Sequence, residues 1–187
     1  EFAERGLGGT RIEAISKRAE VSPSLLYYYF DHKDDLYLAV LEHGMKALIL
    51  DLGEKLGHTD DFTSSFGPGM LSTFELMRQR PALVRLLLRE CVDGAFYLKI
   101  LKERHPEWVG SNLRLMTERL KLAMEAGTVR QVDAERTLAI FASALFLILG
   151  AMPVLELMKS ANAPAQEDDP MIWFGVLVDI VANSMRP

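Results

Sequence analysis

The sequence predicts an all-α protein: a small three-helix module at the N-terminal end, followed by a larger helical domain. Three observations carry that expectation. Residues 10–36 hold two short helices and the start of a third, marked by capping residues. Residues 138–155 form an uncharged apolar run of helical length. No segment shows the sustained alternation of a half-buried strand.

The elements follow in order. Residues 1–5 read as the end of a first helix. Thr10, Arg11, Ile12 and Glu13 spell a capping box, with the Thr hydroxyl accepting from the backbone N–H of Glu13. Ile12, Ile15, Ser16 and Ala19 then share one face of a short helix. Ser22 is the N-cap of the next helix and Pro23 its first residue. Val21 and Leu26 have the spacing of a hydrophobic staple. So short a connection, Glu20 and Val21, forces a sharp crossing. That is the layout of a helix-turn-helix, whose second helix enters the DNA major groove.

A further helix runs from Lys33 toward Leu56 and links the two domains, placed at 1–45 and 46–187. Residues 57–61 read as a loop, and 64–69 hold turn residues. Helices are expected over 68–79, 81–92 and 95–104, with a break at Arg80 and Pro81. Pro106 begins a long helix that stops at Gly127 in a left-handed cap. Asp133 caps the apolar helix, 161–169 is a polar linker, and Pro170 starts a last helix ending near Met185.

The stretch Thr10, Ile12, Ile15, Ala19, Val21, Ser22, Leu26, Tyr27, Phe30, Lys33 and Leu36 resembles, without a gap, the tetracycline repressor (TetR) family of bacterial transcription factors. A weaker echo lies at residues 126–133, a turn before the first dimerisation helix in many members. The resemblance implies an N-terminal helix-turn-helix and a C-terminal helical domain for effector binding and dimerisation. It also implies a basic arm and most of a first helix upstream of Glu1. This chain departs from the family pattern at Glu20, where the turn usually has Gly, and at Ser16, where Ala is usual.

On this reading Ser22, Pro23, Ser24, Leu25, Tyr27 and Tyr28 face the groove, while Leu26 and Phe30 hold the helix from behind. Ser24 offers a hydroxyl, Pro23 and Leu25 offer only apolar contact, for example with a thymine methyl, and the tyrosines offer phenols to phosphate. Thr10, Arg11 and Lys33 are expected phosphate contacts. Tyr29 is expected to pack inward with Phe30. Glu13 projects from the preceding helix toward a possible cytosine amino group.

Composition sets bounds on this. The chain has 187 residues, 49% hydrophobic and 25% charged, with a formal net charge of −5. That is globular and disfavours whole-surface binding of polyanions, so DNA contact must be local. Up to Lys33 the bases Arg5, Arg11, Lys17, Arg18 and Lys33 are matched by the acids Glu1, Glu4, Glu13, Glu20 and Asp31. Cys91 is alone, which excludes an internal disulfide and fits a cytoplasmic setting. Residues 138–155 are long enough for a membrane span, but Glu135, Arg136 and Glu156 flank or interrupt the pattern, and Gly150 and Pro153 would kink it. A buried helix is expected, with a partner subunit as its simplest cover.

Two-fold pairing of reading heads on a palindromic operator requires a homodimer. Its interface is placed on Leu145, Leu149 and Met152 of the apolar helix and on Trp173, Val176, Leu177, Ile180 and Val181 of the last. The effector is expected to be small and hydrophobic, in a pocket drawn from Phe74, Met77, Leu87, Cys91, Phe96, Trp108, Met116 and Phe141, with Arg89 or Glu90 adding polar contacts. No catalytic motif, metal spacing or cofactor loop is present; His32, His43, His58 and His105 stand apart along the chain. The alternative is an all-helical small-molecule-binding or interaction protein without DNA binding.

Overall fold

A computed structural model describes residues 1–56, 62–108, 110–157 and 169–186. The described residues form ten helices and no strand: α1 (Phe2–Gly9), α2 (Ile12–Arg18), α3 (Pro23–Tyr29), α4 (Lys33–Leu56), α5 (Phe62–Arg78), α6 (Pro81–Val92), α7 (Phe96–Arg104), α8 (Ser111–Glu125), α9 (Ala134–Leu157) and α10 (Pro170–Ser184). Packing sorts them into two compact units. The first joins Glu1–Leu48 to Arg80–Val109; the second joins Ile49–Gln79 to Gly110–Pro187. A single cut at 45/46 therefore misses the partition of α6 and α7. They stay with the N-terminal segment because Leu86 and Leu101 share a buried cluster with Phe2, Ile12, Leu36, Tyr37, Leu38 and Leu41.

In the first unit, α1 breaks at Gly6, whose φ of 69° is left-handed. The guanidinium of Arg89 donates to the Glu4 carbonyl at 3.2 Å, and a Cβ on Gly6 would lie 2.9 Å from Arg89 Nη1. The freed carbonyl of Gly6 accepts from the Thr10 hydroxyl at 2.6 Å. Thr10 is thus buried and turned back on α1, and the expected capping box does not form. α2 starts at Arg11 with no side-chain cap. The cap on α3 does form, with Ser22 Oγ accepting from Leu25 N at 3.2 Å. Between α2 and α3, Glu20 sits at φ 56°, a conformation that favours glycine.

One buried acid ties three helices together. Glu90 of α6 accepts from the Tyr37 hydroxyl of α4 at 3.1 Å. Its other oxygen accepts from Tyr97 N at 3.0 Å and Leu98 N at 3.4 Å, capping the first turn of α7. The Tyr97 hydroxyl in turn donates to Asp34 of α4 at 2.5 Å. Burial, then the Glu90 charge, pushes the Tyr37 phenol well above its ordinary range. Burial and the Asp34 carboxylate push Tyr97 up to about 12.

The second unit is built on Phe62, Phe66, Met116, Leu120, Leu138 and Phe141, with Met185 closing one end. Residues 64–69, expected to turn, instead lie inside α5, and Pro68 sits within that helix. Phe62, Phe66 and Phe74 are buried along α5, and that packing outweighs the lost hydrogen bond. The expected loop at 57–61 and most of the linker at 161–169 lie outside the described residues. α8 begins at Ser111 rather than Pro106, after left-handed Gly110. Its stop at Gly127 (φ 72°), the Asp133 cap on α9 and the start of α10 at Pro170 are as the sequence implies, and Asp169 caps α10 by accepting from Met171 N.

Two outcomes follow. Glu20→Gly should raise unfolding free energy by about 1 kcal/mol, the rough cost of a left-handed non-glycine residue, read by chemical denaturation; an unchanged or lower value contradicts the strain. For Tyr97, the unfolded phenol loses its proton before the folded one. Its stabilising share is therefore complete below about pH 10 and lost as pH rises toward about 12. Tyr97→Phe should flatten the stability–pH curve in that window, read by chemical denaturation at a series of pH values; an unchanged slope there contradicts the assignment.

Candidate nucleic-acid interface

α3 has no buried residue. Pro23 and Ser24 are exposed, as are Leu25 (42%), Tyr27 (53%) and Tyr28 (80%). Leu26 and Phe30, four residues apart, are half-buried against the core of the first unit and anchor the helix. Tyr29 corrects the expectation that it packs inward: it is 69% exposed. One step along a helix turns it about 100° away from Phe30, and its ring meets Tyr28 edge to face at 5.1 Å. The helical period alone does not mark it as outward-facing, since it lies three residues from Leu26 and so within about 60° of that anchor.

The flanking cations divide by partner. Arg11 and Lys17 are exposed. The Lys33 ammonium donates to the Thr10 carbonyl at 2.9 Å, which fixes it at the start of α4 and leaves further N–H groups for phosphate. Arg18 is paired with Glu1 (3.4 Å) and Glu4 (3.2 Å), and its guanidinium holds the Glu4 carboxyl below its ordinary range. Thr10 is removed as a hydroxyl contact, since its Oγ1 is committed to Gly6 and the side chain is buried. Glu13 and Glu20 are exposed acids beside this surface.

The eight residues expected around an effector divide between the two units. Phe74, Met77, Met116 and Phe141 are buried in the second unit, where Phe74 stacks on Phe174 at 4.5 Å and Phe141 meets Phe66 edge-on at 5.1 Å. Leu87, Cys91, Phe96 and Trp108 belong to the first unit: Leu87 is buried, Cys91 exposed and Phe96 60% exposed. None of the eight lines the cavity of about 380 Å³ bounded by Phe2, Ile15, Leu36, Val40 and Leu86, or that of about 110 Å³ bounded by Phe62, Phe66, Val129 and Met185. Arg89 and Glu90 are already occupied by the contacts above. His105, which stands apart in sequence, meets Glu42 at 2.9 Å and stacks on Trp108 at 3.7 Å. A separation of 63 residues hides that contact from sequence patterns.

The apolar helix α9 meets the composition for a membrane span, the one such helix among the described residues, yet little of it is buried. Its inner face is Leu138, Phe141 and Leu145; its outer face is Ile140, Leu147 and Val154. Leu145, expected at an interface, is a core residue, and Leu149 is half-buried. The side chain of Met152 lies outside the described residues. On α10, Trp173, Val176 and Ile180 are exposed as expected, together with Ile172, whereas Leu177 and Val181 pack on the core of the second unit.

Comparison with known proteins agrees with this geometry. Residues 1–40 match the family model for bacterial regulatory proteins of the tetR family. The HTH-type transcriptional regulator RutR of Escherichia coli K12 is 35% identical over 100 residues, 50% of this chain and 44% of RutR. The HTH-type transcriptional repressor NicS of Pseudomonas putida is 45% identical over 42 residues, 22% of this chain and 20% of NicS. The matched stretch thus spans under half the length of these relatives. The fold extends further: the ketosteroid regulator KstR2 of Mycobacterium tuberculosis superposes with a TM-score of 0.70 at 16% identity, covering 100% of this chain and 89% of that one. FadR of Bacillus subtilis, in complex with stearoyl-CoA, gives 0.69 at 14% identity, covering 99% and 94%. Residues 1–40, with their capped, outward-facing α3, are thus similar to bacterial regulatory proteins of the tetR family, and the fold of the whole chain is similar to that of these solved regulators.

Proposed function

We propose that this protein is a ligand-responsive transcriptional regulator, a repressor released from a palindromic operator by a small hydrophobic effector. The carrying observation is α3: a capped helix with an entirely solvent-facing outer side, seated beside the fixed ammonium of Lys33. Such a rod fits the major groove, and its phenols and Lys33 fit the flanking phosphates. The relatives named above are transcriptional regulators rather than enzymes.

Two heads are needed for a palindrome. The outer faces of α9 and α10 supply a reason to pair: Ile140, Leu147 and Val154 recur every seven residues, beside exposed Trp173, Val176 and Ile180. A homodimer through these faces would form a four-helix bundle. In a cytoplasmic protein such a pairing would cover the apolar helix without a membrane. For the effector, stearoyl-CoA bound to FadR supports an apolar class. Phe74, Met77, Met116 and Phe141 remain the proposed lining in the second unit, with methionines able to repack. The exposed Phe96 and Cys91, with Leu87 and Trp108, would contribute only from the first unit. α4 contributes residues to both units and is the helical one among the covalent routes between effector and reading head. The coupling is reciprocal: effector and operator weaken each other by the same factor.

Duplex binding at low salt is the direct test, and its absence would favour a helical ligand-binder without DNA binding. Lys33→Ala should weaken binding to every duplex alike and reduce the slope of log affinity against log salt by about 1. An unaltered slope would remove Lys33 from the phosphate contacts. For the dimer, Leu147→Glu should yield monomers in sedimentation without loss of helicity, whereas Leu145→Ala should lower stability and leave the dimer intact. The reverse pattern would restore the interface first expected from sequence.

A further inference from the structure

The reading helix is chemically unusual, and its composition restricts which bases it can read. Residues 21–30, VSPSLLYYYF, contain no charge and no side-chain amide. In the major groove, Arg or Lys reads guanine, Asn or Gln reads adenine, and Asp or Glu accepts from cytosine. α3 owns none of these. What remains is hydroxyl and apolar contact.

The hydroxyls at the helix start are largely spent. Ser22 Oγ accepts from Leu25 N and lies 2.9 Å from Ser24 Oγ, so one of the two hydroxyl hydrogens closes that pair. Of the nearby cations, Lys33 is anchored on the Thr10 carbonyl and Arg18 on Glu1 and Glu4, while the exposed Arg11 and Lys17 stand at the start and on the length of α2 rather than on α3. The first helix of such a motif crosses the backbone, and base contact comes from the N-terminal residues of the second. There the exposed side chains besides Ser24 are Pro23 and Leu25. Leu25 follows Ser22 by three residues and precedes Tyr29 by four, so it stands on the exposed face between the serine pair and the tyrosines.

Resting on the DNA-reading role proposed above, we infer that this head reads methyl groups: its preferred half-site places thymine C5-methyls beneath Pro23 and Leu25, and sequence preference there follows the methyl rather than a hydrogen-bond pattern. An exposed leucine with 42% of its surface accessible gains by covering an apolar group. The thymine methyl is the one apolar group that unmodified base pairs present in that groove.

The test starts from duplexes selected by the full chain out of a random pool. Each thymine of a selected half-site is replaced by deoxyuridine, which removes the methyl and keeps every hydrogen-bonding group. At one or two positions per half-site the affinity should fall about fourfold, the rough worth of one buried methyl. In a duplex where a C·G pair replaces the sensitive T·A pair, 5-methylcytosine should bind better than cytosine. Leu25→Ala should make affinity indifferent to deoxyuridine at a sensitive position. Leu25 is exposed and Ala favours helix, so α3 should persist. Selected duplexes that bind equally with and without the methyl would overturn the inference while leaving DNA binding standing. A methyl effect that survives in Leu25→Ala would overturn it too. A wild-type chain that selects no duplex would instead remove the DNA-reading role, and this inference with it.

Discussion

The first unit depends on where one carboxylate has been placed. Glu90 is buried, and an unpaired acid there would carry a large desolvation penalty. Its oxygens are satisfied by the Tyr37 hydroxyl and the first amides of α7, so its burial holds α4, α6 and α7 at fixed separations. Tyr97 carries the same chain of contacts on to Asp34, the neighbour of Lys33. The start of α4, and with it the cation beside α3, is thereby fixed by residues remote in sequence. Ala95 adopts φ 60° in the turn between α6 and α7, which lets the chain reverse closely enough for Glu90 to cap the next helix.

The same unit shows a candidate reading surface with little field of its own. The acids Glu1 and Glu4 absorb Arg18, while Glu13 and Glu20 remain exposed. Long-range attraction to a polyanion is correspondingly weak, and shape and close contact must carry more of the binding. An aromatic-rich outer side suits the proposed division: phenols can donate hydrogen bonds to phosphate without net charge, and their rings offer area.

What sequence could disclose follows the range of the interactions. The Ser22 cap, the Pro23 start, the break at Pro81 and the caps at Asp133 and Asp169 are local events, and each is written in two to four adjacent residues. The inward Leu26 and Phe30 follow from period alone. Thr10 misled because a backbone break at Gly6, one turn earlier, offered its hydroxyl a better acceptor than a cap. The turn expected at 64–69 failed because the burial of Phe62 and Phe66 outweighed Gly and Pro. On α9 the composition revealed an apolar helix, yet an all-apolar sequence carries no polar face to set its rotation, so Leu145 was assigned outward. The alliance of α6 and α7 with the first segment, and the meeting of His105 with Glu42, join residues far apart in the chain, and no local pattern encodes them.

The placement of the two tryptophans has a spectroscopic consequence. Trp108 in the first unit lies flat on the His105 imidazole at 3.7 Å. Trp173 in the second unit is 44% open to water on the outer side of α10. The intrinsic fluorescence of the chain therefore has two separable components: one from an indole stacked on a neighbouring ring, the other sensitive to whatever covers α10.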